Sequence, residues 1–76
     1  MIKKYIRFNE VNNPGKKTRI FEVINLSGDY ILGFIHWYTA WRQYIFEPLE
    51  NTVYSDGCLE DIIKELKRLN FEQKNK

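Results

Sequence analysis

A chain of 76 residues, 43% hydrophobic and 16% aromatic, has material for one small core and leaves no room for a second domain. Its single cysteine, Cys58, excludes an internal disulfide and fits a reducing, cytoplasmic setting, and no apolar run is long enough to cross a bilayer or to serve as a secretory segment. The net charge of +2 is unevenly laid out: Lys3, Lys4, Arg7, Lys16, Lys17 and Arg19 stand against Glu10 over residues 1–20, whereas Glu47, Glu50, Asp56, Glu60 and Asp61 make residues 47–61 acidic, so the blocks either cancel across the fold or leave a basic patch for an anionic ligand.

Residues 2–11 place Ile2, Ile6 and Phe8 on one side and Lys3, Tyr5 and Arg7 on the other, the pattern of a half-buried strand. Asn12-Asn13-Pro14-Gly15 is a turn, because proline presets φ at the first central position and glycine accepts the positive φ that a type II turn needs next. Residues 18–26 are rich in β-branched and aromatic side chains on both faces, which suits a central strand. After Ser27-Gly28-Asp29, a third strand over 30–38 carries Gly33 in its middle, the mark of a bulge or of close packing against a ring. Thr39-Ala40 then reads as a tight turn into a fourth strand over 41–47, with Pro48 ending its ladder for want of an N–H. Residues 52–54 suit a brief edge strand. A helix over 56–70 starts at an N-cap of Ser55 or Asp56 and repeats Leu59, Ile62, Ile63, Leu66 and Leu69 at helical spacing. Beyond Asn70 the chain is expected to fray.

These elements predict an α+β fold, an antiparallel meander of about four strands with one C-terminal amphipathic helix packed on one face. The helix leaves the other face uncovered. Trp37, Tyr38, Trp41 and Tyr44 cannot all fit beneath it, so some ring surface is offered to solvent, to a second copy or to a ligand. A homodimer formed through the uncovered face or through an edge strand would hide the surplus rings.

At W-Y-T-A-W-R-Q-Y-I-F-E-P and the following C-L-E-D-I-I-K-E-L-K-R-L-N, the chain resembles a family of small, functionally uncharacterised proteins of bacteria, phages and prophages. Those proteins share a W-Y-x-x-W-R-x-Y hairpin, then an aromatic, a proline and a C-L-x-D-I helix. The likeness covers roughly residues 33–70. Gly-Pro more often stands where this chain has Thr39-Ala40. The resemblance implies a shared fold and a mobile-element setting, and no activity.

Catalytic chemistry is poorly provided for. His36 and Cys58 are the residues suited to nucleophilic work, but a cysteine beside Leu59 in an amphipathic helix reads first as a small core residue, and nothing orients the imidazole. One histidine, one cysteine and scattered carboxylates offer no metal-ligand spacing, and no cofactor is implied. Asp56, Glu60 and Asp61 read as helix-start residues, and Ser55-Asp56-Gly57 would repel a phosphate. What remains is the hairpin. Trp37, Tyr38, Trp41, Arg42 and Tyr44 are of the types most enriched at interface hot spots, so the leading expectation is a non-enzymatic binding protein that occupies a host protein. The alternative is a binder of single-stranded nucleic acid or a nucleotide, stacking bases on the same rings, with Lys3, Lys4, Arg7, Lys16, Lys17 and Arg19 on the phosphates. Against both stands a purely structural role, a Trp37–Trp41 cross-strand pair that holds the hairpin.

Overall fold

Runs of β-branched and aromatic residues with two-residue alternation form four antiparallel strands, adjacent in chain order: β1 (Ile6–Val11), β2 (Ile20–Asn25), β3 (Ile31–Tyr38) and β4 (Gln43–Pro48). One helix follows, α1 (Asp56–Lys74). The structure, a computed structural model, describes residues 5–74, so the part of the expected first strand over residues 2–4, with Lys3 and Lys4, lies outside the described residues. The α+β meander with a C-terminal helix on one sheet face is the architecture observed.

Between β1 and β2, Asn13-Pro14-Gly15-Lys16 closes a turn with a Lys16 N–H to Asn13 C=O bond of 3.2 Å. Gly15 takes φ +76° there, the type II geometry that the Pro-Gly order calls for. Cross-strand partners share a face, so Ile6, Phe8, Phe21, Val23, Ile35, Trp37, Tyr44 and Phe46 line one side of the sheet. They meet Cys58, Ile62, Leu66 and Leu69 of α1 in a single core. Val23, Leu32, Ile35 and Leu69 are wholly buried, each contributing about 1.5–3 kcal/mol of transfer free energy.

Gly33 meets both expectations for it. The β2–β3 register jumps between Val23, paired with Gly33, and Ile24, paired with Ile31, leaving Leu32 as the extra residue of a bulge. The Leu32 side chain turns into the core, and its carbonyl accepts from the Leu49 N–H at 2.9 Å and the Tyr54 hydroxyl at 3.0 Å. A Cβ on Gly33 would run into the Glu47 carbonyl and lie 2.9 Å from the Phe46 ring.

The end of β4, the segment after it and the helix differ from the expected reading. Pro48 is the last residue of β4, yet the pairing carries on through the Leu49 N–H, because Gly33–Pro48 is a non-hydrogen-bonded pair and the proline nitrogen faces away from β3. Residues 52–54 form no strand; Thr52 Oγ1 donates to the Leu49 carbonyl at 2.8 Å, and the segment simply leads into α1. The helix does not fray after Asn70 but runs to Lys74, since Asn70 and Glu72 both find partners on the sheet side. Its buried stripe is also rotated. Ser55 Oγ caps the Cys58 N–H at 3.2 Å, Cys58 takes the first core position, and Leu59 and Ile63 are left exposed.

Candidate functional site

The hairpin that joins β3 to β4 has a longer loop than a two-residue turn. Its last ladder pair is Tyr38–Gln43, so Thr39, Ala40, Trp41 and Arg42 all lie in the loop. Two successive bonds, Trp41 N–H to Tyr38 C=O at 3.2 Å and Arg42 N–H to Thr39 C=O at 3.1 Å, wind it like a helical turn. Arg42 closes it at φ +53°. The reason is local: a two-residue hairpin turn needs positive φ at its centre, which Thr39-Ala40 adopts poorly, so the chain moves the left-handed residue to position 42.

That shift separates the five hairpin residues. Trp41 leaves the strand, and the expected Trp37–Trp41 cross-strand pair does not form. Trp37 faces Tyr44 instead, edge to face at 5.4 Å, on the helix side of the sheet. Tyr44 is buried: its hydroxyl accepts the Arg19 N–H at 3.0 Å, while its backbone N–H and C=O are held by the Asn70 amide at 2.6 and 3.3 Å. Trp37 is half-buried. Tyr38 points to the uncovered face, and Trp41, 67% exposed, leans edge-on against it at 5.1 Å. Trp41, Tyr38 and Arg42 therefore make the exposed part of the set.

Trp41 also stands at one end of a groove of about 440 Å³ between β4 and α1, with Ile45 and Phe46 on one wall and Ile63, Leu66 and Lys67 on the other. Ile63, which helical spacing alone puts in the core, is exposed and forms part of this wall. The spacing of Cys58, Ile62 and Leu69 is the signal that would have placed it outside. The uncovered face is less open than its lack of a helix suggests. Ile20, Phe34 and Ile45 are half-buried there, between an Asn9–Glu22 hydrogen bond of 2.8 Å and a His36–Glu47 contact of 2.7 Å.

Of the four basic candidates among the described residues, the two arginines are engaged. Arg7 reaches Asp29 at 3.2 Å. Arg19 binds Glu10 through Nε and Nη2 at 3.0 and 2.9 Å and Glu72 at 3.1 Å, and lies 5.0 Å over the Phe21 ring. Arg68 in turn holds Glu72 at 2.6 Å and Glu65 at 2.7 Å, so the charges alternate from Glu10 through Arg19, Glu72 and Arg68 to Glu65. The hydrogen bond from Arg19 lowers the Glu10 pKa, the one to Glu10 raises that of Arg19, and the one to Glu65 raises that of Arg68. Lys16 and Lys17 are exposed beyond the first turn. His36 and Cys58 stand on opposite sides of the sheet, the thiol buried in the core. Among the described residues, no group of three or more His, Cys, Asp or Glu is placed to hold a metal ion, and no helix is long and apolar enough to cross a membrane.

The chain is thus a small α+β protein whose β3–β4 hairpin exposes Tyr38, Trp41 and Arg42, and it belongs to a family of small phage-related proteins. It is 38% identical over 71 residues to an uncharacterized 9.3 kDa protein of Acholeplasma phage L2, an alignment covering 93% of this chain and 91% of that protein. No family model matches the chain, and no solved structure does.

Proposed function

We propose that this is a non-enzymatic accessory protein that works in the host cytoplasm by occupying a host protein through Trp41, Tyr38, Arg42 and the apolar groove beside them. The observation that carries it is Trp41: a large ring two-thirds exposed on a loop, braced by Tyr38 and next to a backbone held in the left-handed region. Burying a tryptophan removes roughly 150–250 Å² from water, and tryptophan and arginine are the commonest interface anchors. W-Y-T-A-W-R-Q-Y and C-L-E-D-I, which build the loop and the helix opposite it, are on this view the segments that the family shares.

Tagged protein expressed in host cells and captured after cross-linking tests the proposal. A Trp41→Ala, Arg42→Ala double variant with an unchanged thermal midpoint is expected to lose the partner that the parent retains, a truncation worth at least about 2 kcal/mol, or roughly thirtyfold in affinity. Retention of the same partner overturns the idea. The nucleic-acid reading has less support, because Arg7 and Arg19 are taken up by Asp29, Glu10 and Glu72. Fluorescence anisotropy with a single-stranded oligonucleotide at low salt distinguishes the two: binding that weakens steeply as salt rises would favour nucleic acid.

A further inference from the structure

The two edges of the sheet are chemically different. On β4, the outward N–H and C=O of Tyr44 are both held by Asn70 and Pro48 has no N–H to offer, which leaves Phe46 between them as the one β4 residue with both outward groups open among the described residues, against three in a row on β1. On β1, the Leu26 N–H to Tyr5 C=O bond of 3.1 Å sets the phase of the ladder. Arg7, Asn9 and Val11 bond inward to β2, so the N–H and C=O groups of Ile6, Phe8 and Glu10 point outward. Among the described residues, no backbone or side-chain group bonds to these outward groups.

We propose that β1 pairs with β1 of a second copy, antiparallel about a two-fold axis at Phe8, so that the four strands of each copy join in one continuous sheet. The proposal stands apart from the proposed docking at Trp41, which lies in the loop that leads into the opposite edge strand.

The partner is a second copy because this edge is complementary to itself. With outward groups on alternate residues, the usable registers pair Ile6, Phe8 and Glu10 among themselves. A register centred on Arg7 sets that residue against its own copy, two like charges directly opposite, which is unfavourable. One centred on Phe8 makes hydrogen-bonded pairs of Ile6 with Glu10, Phe8 with Phe8 and Glu10 with Ile6. It also sets Arg7 opposite Asn9, whose amide holds the Glu22 carboxylate at 2.8 Å, bringing the guanidinium to a negative partner. The helix rim follows the same rule. Asp61, Lys64, Glu65 and Arg68 line the groove between β1 and α1 and alternate in sign in that order. A reversed copy sets Asp61 against Arg68 and Lys64 against Glu65. The pair would carry its two Trp41 surfaces at the far ends of the joined sheet, where one bivalent particle engages a repeated or dimeric host target more tightly than either surface alone.

Sedimentation equilibrium of the full chain from low micromolar to near-millimolar concentration tests this, with amide hydrogen exchange on the same samples. The expected result is a reversible monomer–dimer equilibrium, with exchange at Ile6, Phe8 and Glu10 slowing as concentration rises. Asn9→Lys opposes like charges at both symmetric positions and is expected to weaken the dimer about tenfold. Combining it with Arg7→Glu restores the association. A chain that stays monomeric throughout overturns the proposal, as does a dimer that ignores the charge exchange while the Phe8 amide exchanges at a rate independent of concentration. Should Asn9→Lys fail to fold, the concentration dependence of exchange in the parent decides alone.

Discussion

Arg42 holds a left-handed conformation at φ +53° that a non-glycine residue adopts at a cost of about 1–2 kcal/mol. Nothing in its immediate geometry requires a side chain, for the turn is closed by backbone bonds from Trp41 and Arg42. Arg42→Gly is therefore expected to raise stability by about 0.5–1 kcal/mol in urea titration, the relief of strain being partly offset by the added freedom of the unfolded chain. If the same variant also weakens the proposed docking, the arginine is kept for contact rather than for folding. Gly33 is the opposite case, with no strain in φ but no room for a Cβ between the Glu47 carbonyl and the Phe46 ring.

The docking of α1 on β4 turns on one side chain that behaves like an extra strand residue. Asn70 gives Tyr44 both a donor and an acceptor, and Asn70→Ala leaves the Tyr44 N–H without its partner in a part-buried place. A loss of about 1–3 kcal/mol is expected, read as a lower urea midpoint at unchanged slope. This contact also shows where the chain's own sequence stops being informative. The Asn13–Lys16 turn was legible because Pro14 and Gly15 fix their own dihedrals. The strands and the helix were legible because apolar periodicity is local, and parity alone placed Trp37 opposite Tyr38. Asn70 was not, since its partner lies 26 positions away and an asparagine late in a helix looks like a breaker. Trp41 was misplaced into a strand because alternation continues unbroken through the loop, while the turn preference of Thr39-Ala40 is a weaker signal. The pairing of Arg19 is hidden for a similar reason: it looks free until Glu72, at the far end of the chain, is brought beside it.

Across the whole molecule, the line of charges from Glu10 to Glu65 joins the first strand, the residue that leads into the second and the last turns of the helix. The folded Glu10 pKa lies below its ordinary value, chiefly through the Arg19 hydrogen bond. Its stabilising share is thus complete above the unfolded glutamate range of about 4.3 and is lost as pH falls through the lower folded value. Glu10→Gln is expected to lower stability in the neutral region and to leave the acid end nearly unchanged, which flattens the acidic limb, as followed by urea midpoints in a pH series. Raised arginine values act in the other direction, and their loss would come only in strong alkali. The unequal sheet edges set a limit of another kind. A subunit with two receptive edges polymerises without end, whereas one with a single receptive edge is consumed at the first encounter and stops at a pair. Asn70, which occupies both outward backbone groups of Tyr44, and Pro48, which has no N–H, narrow β4 as a template, so association through the proposed β1 edge would stop at a pair without seeding a filament.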